Sequence, residues 1–285
     1  MTFISTWNIQ CGLGCDGRVD LERIAAGLRK LGEADVICLQ EVARHMPGLD
    51  QGAGADQAKV LTDLFPDYES FFGAAINLEG ERPTQRGQFG NLILSRLPVA
   101  QVFTHPLPQK PDPAVKHMPR QVTEVVVRTN GKALRVMTTH LEYHSKQQRE
   151  QQIAKVRKLH QQNCANVRSP GIDPGEGPYA FAERPESLVV CGDFNFTETC
   201  VEYEQMLAGF DDDTPALMDS WVWRHENTPH LPTCGVFDHT HWPQGPHCRD
   251  FFFVTPDLVD RIEDVEVDVQ SDASDHQPLR LSLAD

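Results

Sequence analysis

Polar side chains that can bind a metal ion or a phosphate stand at the ends of apolar, strand-like segments in several places. In the last of these places, SDASDHQPLRL (271–281), Asp275 and His276 precede a short predicted strand from Leu279 to Leu283. The full set is Asn8, Glu41, His140, Asp193, Asn195, Asp250, Asp275 and His276. Carboxylates are ligands for a hard cation, and amides and imidazoles donate hydrogen bonds to anionic oxygen. The set therefore predicts one site that holds a cation beside an anionic group.

Each of these residues also has an ordinary structural interpretation. Asn8 could cap or turn the chain, Glu41 could begin an exposed loop, and His140 could be a hydrogen-bonded core histidine. Asp193 and Asn195, in the sequence GDFN, fit an Asx-turn. A shared site is favoured because the same arrangement recurs on different segments, and sites are built where loops leave a rigid scaffold.

The segments that must position these side chains show both strand and helix patterns. Strand patterns occur in FISTWNI (3–9), ADVICLQEV (34–42, ending at Gln40 and Glu41), GNLILSRLPV (90–99, as strand, turn and strand), VTEVVVRT (122–129), ALRVMTTHLEYH (133–144), LVVCGDFNF (188–196), DFFFVTP (250–256) and LRLSL (279–283). Helix patterns occur in DLERIAAGLRKLG (20–32, with Asp20 as cap), DQAKVLTDLF (56–65) and residues 145–167, with Ser145 as cap. Asn130 and Gly131 predict a hairpin turn.

The mixed order of these elements predicts a single α/β domain over residues 1–285, built on mixed sheets. There is no internal repeat or low-complexity linker. A doubly wound fold would show stricter alternation and a glycine-rich phosphate loop, and the sequence has neither. Residues 169–187 and 223–249 are rich in proline, glycine or histidine and predict irregular loops.

Composition narrows the class of protein. The chain has 285 residues, 40% of them hydrophobic, and a net charge of −15, which disfavours a protein that binds nucleic acid tightly through lysine and arginine. No apolar run approaches the about 18 residues of a membrane span, and the start, MTFISTWNIQ, lacks the pattern of a signal peptide. The eight cysteines contain no C-x-x-C pair, so we expect a reduced, cytoplasmic protein.

In order along the chain, the motifs resemble those of the endonuclease/exonuclease/phosphatase superfamily. They are Asn8, LQE (39–41), GNLILSR (90–96), THLE (139–142), GDFN (192–195), DFFFV (250–254) and SDH (274–276). The resemblance implies a four-layer α/β sandwich, two packed mixed β-sheets flanked by helices. It also implies a hydrolase that cleaves phosphoesters with Mg²⁺ or Mn²⁺.

The resemblance implies a metal end of the site. Glu41 would be the principal metal ligand with Asn8 beside it, and Asp275 would be a further carboxylate for the metal. Some family members carry a second acid two residues after the first Asn, where this chain has Gln10. The resemblance therefore does not imply a second metal ion at that end.

The remaining motif residues would act on the phosphate and on water. Asp193 resembles the residue that orients or deprotonates the attacking water, and Asn195 resembles a donor to a phosphate oxygen. His140 and His276 resemble the pair that grips the phosphate, with Asp250 holding His276 in one tautomer. Apurinic endonucleases have a tyrosine in the role given to His140, so the chain is more similar to deoxyribonucleases and sphingomyelinases.

Several points stay open from the sequence. Arg86 and Arg120 are candidates for contact with substrate phosphate, with solvated surface arginines as the alternative. Loops 45–57, 105–119 and 223–249 are expected to frame the cleft. The last of them holds Cys234, His239, His241, His247 and Cys248. A separate zinc site there is an alternative to an aromatic rim, although the spacing matches no known pattern.

The substrate class is also open. The leading interpretation is a metal-dependent phosphodiesterase whose substrate is undetermined, because one fold and site serve many substrates. A nuclease acting on DNA or RNA is the first alternative, and the acidic chain disfavours it. A binding protein for phosphate ligands without catalysis is a distant alternative, since none of the motif residues is missing.

Overall fold

The computed structural model describes residues 1–46, 49, 55–171, 175–180, 183–226 and 228–285. Its strands are β1 (Thr2–Asn8), β2 (Val36–Arg44), β3 (Glu69–Glu79), β4 (Arg86–Ser95), β5 (Val99–Pro106), β6 (Gln121–Thr129), β7 (Lys132–His140), β8 (Leu188–Asp193), β9 (Met218–Asp219), β10 (Asp250–Val254), β11 (Ile262–Val267) and β12 (Leu279–Leu283). Its α-helices are α1 (Leu21–Lys30), α2 (Gln57–Leu64), α3 (Lys146–Arg168), α4 (Val201–Leu207), α5 (Ser220–His225) and α6 (Pro256–Val259). Short 3₁₀ turns lie at Gln10–Gly12 and Gly177–Tyr179.

The strands form two six-stranded sheets in the described part of the chain. One has the order β11-β12-β1-β2-β4-β3 and the other β5-β6-β7-β8-β10-β9. Each sheet is mixed, because β1 pairs with β2 in parallel and β7 pairs with β8 in parallel, whereas their other pairings are antiparallel. The carboxyl ends of these two parallel pairs carry most of the polar residues predicted to form the site.

The two sheets pack face to face through apolar side chains that alternate along each strand. In β2, Val36 and Cys38 are buried between the sheets, whereas Ile37 and Leu39 contact the residues of α1 and α2 on the outer face. In β8, Val189 and Cys191 point inward. Val190 packs outward in one cluster with residues of α3 and α4. This period of two builds four layers, helix, sheet, sheet and helix, as predicted.

The predicted caps and hairpin turn are confirmed. The Asp20 carboxylate accepts a hydrogen bond from the Arg23 amide, and the Ser145 hydroxyl accepts one from the Gln148 amide. Asn130 and Gly131 both have positive φ, 49° and 78°, as a two-residue turn between β6 and β7 requires.

Several predicted boundaries differ from those of the structure. The second strand does not end at Gln40 and Glu41 but runs on to Arg44. It continues through a bulge between Leu39 and Val42, where Glu41 takes a φ of 57°. Loop 223–249 begins inside α5, because the Asp219 side chain caps that helix from outside the predicted loop. Loop 45–57 lies partly outside the described residues.

The first and last strands are joined although they are far apart in sequence. β1 pairs with β12 along the whole length of β12, from Thr2 opposite Leu283 to Thr6 opposite Leu279. The Trp7 indole donates a hydrogen bond of 2.8 Å to the carbonyl of His276, 269 positions away. Strand β12 therefore joins β1 to β11 within the first sheet.

A buried group of charges ties β6 to β7 on the second sheet. The Glu124 carboxylate, fully buried, accepts hydrogen bonds from Arg135 Nε at 2.7 Å, Arg184 Nη2 at 2.7 Å and His105 Nε2 at 2.9 Å. Each lone pair of a buried carboxylate needs such a partner, because burying an unpaired charge is costly. Glu124 is the shared anion of this group.

All eight cysteines lie among the described residues, and none of them forms a disulfide. Cys38 and Cys191 are core residues, as predicted. Among the residues that the structure covers, no helix is both long and apolar enough to cross a bilayer.

Candidate active site

The centre of the site is the Asp193 carboxylate, at the carboxyl end of β8. Its Oδ2 atom lies 3.0 Å from Asn8 Nδ2, 3.3 Å from His140 Nε2 and 3.7 Å from His276 Nε2. Pairing of β7 with β8 sets His140 directly opposite Asp193, and pairing of β8 with β10 does the same for Asp250. These registers place His140 and Asp250 beside Asp193 in the second sheet, and Asn8 reaches Asp193 from the end of β1 in the first sheet.

Asp193 is held in its ionised form. Burial alone would raise the pKa of this carboxyl, but the positive charges of His276 and Arg249 outweigh burial and lower the pKa below its usual value. The Asn195 amide also donates to Asp193 Oδ1 at 2.9 Å. A buried, ionised carboxylate of this kind can accept a hydrogen bond from a water molecule and hold it in place.

His276 is held by a buried carboxylate on its far side. Its Nδ1 atom lies 2.8 Å from Asp250 Oδ2, which also accepts a hydrogen bond of 2.6 Å from the Thr233 hydroxyl. Burial alone would lower the pKa of His276, but the charges of Asp250, Asp193 and Asp275 raise it well above its usual value. His276 is therefore an imidazolium whose Nε2 faces Asp193.

His140 differs from His276 in charge. Burial, assisted by the charge of Arg120, lowers the pKa of His140 to about 3, so its ring is neutral. Its Nδ1 atom is buried without a hydrogen-bond partner among the described residues and lies 3.7 Å from Glu41 Oε1. We assign the positive charge to His276, because its Nδ1 is hydrogen-bonded to the Asp250 carboxylate at 2.8 Å, whereas Nδ1 of His140 has no such partner among the described residues.

Glu41 reaches the site through the bulge in β2. Its positive φ turns the side chain toward Asn8, whose amide donates to Glu41 Oε1 at 3.1 Å and to Asp193 Oδ2 at 3.0 Å. Burial, followed by the negative charge of Asp275, raises the pKa of Glu41 to about 7. The Glu41 and Asp275 carboxylates line the same cleft, and a bound cation would stabilise both of them in the ionised form.

Asp275 is fixed by a tryptophan from loop 223–249. The Trp242 indole donates to Asp275 Oδ2 at 3.1 Å, and the Ser274 hydroxyl lies 3.4 Å from Asp275 Oδ1. Glu41, Asp275 and the Asn8 amide line the same opening. Their oxygens are the donors that Mg²⁺ or Mn²⁺ prefers, so the residues present fit such an ion.

Two groups of at least three metal-ligating side chains occur among the described residues. One group is Asp193, Asp250 and His276, in which His276 and Asp250 already bond to each other. The other group is Asp238, His241 and Asp275, at the rim, where Asp238 Oδ2 lies 2.6 Å from His241 Nδ1. Neither group contains Cys234, His239, His247 or Cys248, so the described residues do not assemble the zinc site considered for this loop.

Asn195 forms the Asx-turn considered from the sequence, and its side chain also lines the cleft. The backbone N–H of Asn195 donates a hydrogen bond to Asp193 Oδ1, which forms the turn, and Asn195 has a φ of 55°. Its side chain lines the cleft, and Nδ2 donates to the Leu141 carbonyl at 2.9 Å. One N–H of the Asn195 side-chain amide therefore bonds to the Leu141 carbonyl, and the other N–H remains for a ligand.

The two candidate arginines lie in different places. Arg120 lines the cleft with a side chain only 6% exposed, and Nε lies 3.4 Å from Glu142 Oε2. Its Nη1 atom is buried without a hydrogen-bond partner in the described structure. Arg86 is exposed at the start of β4, bonds to Asn77 across the β3–β4 pair, and does not line the cleft.

The rim comes from two of the three predicted loops. Loop 105–119 contributes Lys116, and loop 223–249 contributes His241 and Trp242. Tyr143 and His144, just after β7, complete it. No described residue of loop 45–57 lines the cleft.

Three supporting residues were not recognised from the sequence: Thr233, Trp242 and Arg249. Arg249 Nη1 donates to the Asn195 carbonyl at 3.1 Å, and its guanidinium lies 4.8 Å from the ring centroid of Trp242. The sequence contains one indication of Arg249, because this residue directly precedes Asp250. The bonds of Thr233 and Trp242 join residues 17 and 33 positions apart across irregular loops, which no local pattern indicates.

Comparison with known proteins agrees with this architecture. A model of the Endonuclease/Exonuclease/phosphatase family matches residues 5–167 and 173–276. No curated protein matches the sequence significantly. An endonuclease/exonuclease/phosphatase from Beutenbergia cavernae DSM 12333 is 24% identical, with a TM-score of 0.70 over 99% of this chain and 72% of that one.

Two further solved structures share the fold. A mannosyl-6-phosphatase from Bacteroides thetaiotaomicron VPI-5482 is 15% identical, with a TM-score of 0.66 over 100% of both chains. A 3′ phosphatase from Neisseria, bound to a product DNA hairpin, is 19% identical, with a TM-score of 0.62 over 100% of both chains. At these identities the likeness establishes the fold alone.

Proposed function

The chain belongs to the endonuclease/exonuclease/phosphatase family, and from that premise we propose that it hydrolyses phosphoesters, phosphodiesters in particular, with a divalent metal ion. The observation that carries the proposal is the surrounding of Asp193. An ionised carboxylate lies within 3.3 Å of the Asn8 amide and the His140 imidazole, beside an imidazolium and two further carboxylates. This arrangement suits removal of a proton from water next to an anionic substrate.

The metal-binding residues are Glu41 and Asp275, with Asn8 beside them. A bound Mg²⁺ or Mn²⁺ would neutralise phosphate charge and stabilise the leaving oxygen. Asn8 also fixes Glu41 relative to Asp193, because one amide nitrogen bonds to both carboxylates. The Asn8 side chain therefore sets the distance between Glu41, at the metal end of the site, and Asp193.

The other end of the site supplies the proton acceptor and the phosphate donors. Asp193 orients the attacking water through Oδ2 or takes its proton. His276 donates from Nε2 to a phosphate oxygen, since Asp250 occupies its Nδ1. Arg120 adds the unpartnered Nη1 at the cleft, and His140 contributes a neutral ring. Donors aimed at oxygens that gain charge stabilise the transition state.

The substrate need not be a nucleic acid. The mannosyl-6-phosphatase is named for a sugar phosphate and the Neisseria enzyme was bound to DNA, so the fold accommodates both. The net charge of −15 opposes a long polyanion. We therefore place a small phosphodiester ahead of DNA or RNA, with a nuclease as the second candidate.

A hydrolysis panel with and without metal tests the proposal. We expect Mg²⁺ or Mn²⁺ to support cleavage of a generic aryl phosphodiester, and EDTA to abolish it. The panel includes an aryl phosphomonoester, single-stranded DNA and RNA, and sphingomyelin. Full activity in EDTA would contradict the mechanism, and preferential cleavage of DNA or RNA would favour the nuclease.

A matched pair of variants tests the metal-binding residues. Glu41→Gln should remove most of the activity, because an amide lacks the charge that holds a hard cation. Glu79→Gln makes the same chemical change at an exposed residue of β3 and should retain full activity. Unfolding curves for both variants would separate loss of activity from loss of fold.

A further inference from the structure

Tyr143 presents an aromatic ring in the same cleft as the residues around Asp193. It lies three residues after His140, at the end of β7, and is 39% exposed. Tyr143 and Trp242 are the aromatic carbocyclic side chains lining the cleft, and Trp242 is only 5% exposed. Of these two, Tyr143 is therefore the ring that a bound molecule would meet, beside the exposed imidazoles of His144 and His241 that also line the cleft.

The Tyr143 ring is held in place by its neighbours. The His144 ring lies edge-on at 4.7 Å between centroids, and the Trp242 ring does so at 5.8 Å. The Arg249 guanidinium lies 5.5 Å from the Tyr143 centroid. Arg149 Nη1 donates to the Tyr143 carbonyl at 2.9 Å. A ring fixed in this way loses little freedom when a ligand stacks on it.

The same contacts set the ring at a fixed place relative to the reacting groups. Trp242 donates to Asp275 of the metal end, and Arg249 donates to the carbonyl of Asn195 beside Asp193. Both therefore connect the ring to residues that would bind the phosphate or the metal. A group bound on Tyr143 would lie beside the phosphate of the same substrate molecule.

The lining of the cleft limits what such a group can be. Apart from the two aromatic residues, the described lining residues are amide, acidic, basic or histidine side chains, with no aliphatic side chain among them. A lipid chain would find no apolar wall to bury its methylenes against. A flat ring gains from stacking on an aromatic face in addition to burial.

We propose that Tyr143 forms a subsite for a planar, polar ring on the substrate, so that the preferred phosphoesters carry an aromatic or heteroaromatic group. This inference rests on the proposed function and names its substrate class. The subsite discriminates by stacking geometry rather than by hydrophobicity.

Binding of two phosphonates tests the subsite without catalysis. Phenylphosphonate and cyclohexylphosphonate have the same head group and the same number of carbons, but only the first is flat. Titration calorimetry with Mg²⁺ present, at a pH where both are dianions, should show phenylphosphonate binding roughly three- to tenfold more tightly. Burial alone would favour the more hydrophobic cyclohexyl compound, so this preference distinguishes stacking from burial.

Three variants test whether Tyr143 causes the preference for phenylphosphonate over cyclohexylphosphonate. Tyr143→Leu should bind the two phosphonates equally, and Tyr143→Phe should keep the wild-type ratio. Tyr179→Leu, which removes a tyrosine that is 81% exposed outside the cleft lining, should also keep it.

The outcomes separate the inference from the proposed function. Equal binding by the wild type, or an unchanged ratio in Tyr143→Leu, would overturn the subsite while metal-dependent hydrolysis stood. Failure to bind either phosphonate, together with no hydrolysis in the panel, would overturn both.

Discussion

At the scale of single residues, His276 and Asp250 form one unit. The bond of 2.8 Å between His276 Nδ1 and Asp250 leaves only Nε2 for the substrate. Asp250 is itself fully buried and fixed by Thr233. Removing the carboxylate would free the ring to rotate and would remove the main charge that favours the imidazolium.

We expect His276→Ala to lower kcat by ~10²–10⁴-fold, a typical loss for an acid–base or phosphate-binding histidine. Asp250→Asn should cost a similar factor, and the double variant little more than His276→Ala alone, because the two act together. Steady-state kinetics on the four proteins measures the coupling. Near wild-type turnover of a folded His276→Ala would reject a catalytic role, and strict additivity would reject the pairing.

The activity of a variant at Asp275 should depend on the metal concentration, whereas the activity of a variant at His276 should not. Asp275→Asn removes the charge but keeps an oxygen able to accept the Trp242 bond. We expect its activity to fall at low Mg²⁺ and to recover partly as Mg²⁺ is raised, because the loss is in metal affinity. A magnesium titration of both variants measures this. Recovery of His276→Ala by Mg²⁺, or none in Asp275→Asn, would contradict the assignment.

The sequence motifs indicated the residues that end the strands but not those that support them. Asn8, Glu41, Asp193 and His276 stand out because a polar residue interrupts an apolar run. Thr233 has no such context, since its bond to Asp250 depends on how an irregular loop folds back. Local patterns carry no information on contacts of that kind.

At the scale of elements, the strands that sequence patterns missed lie at sheet edges. β3 and β11 are the two edges of the first sheet, and β9 is an edge of the second. β3 contains Gly73 and two alanines, and much of it is exposed or half-buried. An edge strand forms mainly because its neighbour offers hydrogen bonds, so its own sequence need not show a strand pattern.

The pairing of β6 with β7 predicts a dependence of stability on pH. Burial alone would raise the pKa of Glu124, but bonds from His105, Arg135 and Arg184 outweigh it and lower the pKa to about 2. A carboxyl with a lowered folded-state pKa stabilises the fold above its unfolded pKa of about 4.3. That contribution, about 3 kcal/mol, should be lost as pH falls from about 4.3 through about 2.

Glu124→Gln should destabilise the protein by about 3–5 kcal/mol at neutral pH, because it leaves Arg135 buried without its anion. It should also flatten the loss of stability in acid. Urea unfolding at a series of pH values measures both effects. The control is Glu183→Gln, an exposed partner of Arg128 at 3.9 Å, which should cost at most about 1 kcal/mol. Equal effects of the two variants would refute the role of the buried group.

At the scale of the whole molecule, the net charge of −15 governs encounters with polyanions. The cationic side chains of the rim, such as Lys116, form at most a local patch within an acidic protein. Long-range repulsion should therefore outweigh attraction for a nucleic acid duplex.

We expect weak binding to duplex DNA that falls steeply with salt, because whatever affinity exists depends on displaced counterions. Fluorescence anisotropy of labelled DNA, without divalent cations and over a range of NaCl concentrations, measures it. Lys116→Gln should weaken binding slightly at low salt. Tight duplex binding at physiological salt would place a nuclease first among the candidate functions.

The bond between Trp7 and His276 has a consequence for how the protein is made. On a ribosome that adds about 5–20 residues per second, the 269 positions between the two residues take roughly 13–54 s to synthesise. Throughout that interval β1 has no partner on the side that β12 will occupy, and an unpaired strand edge invites aggregation. The nascent chain therefore exposes this edge of β1 until β12 emerges, and a translation product that stops before residue 276 lacks the carbonyl to which Trp7 bonds.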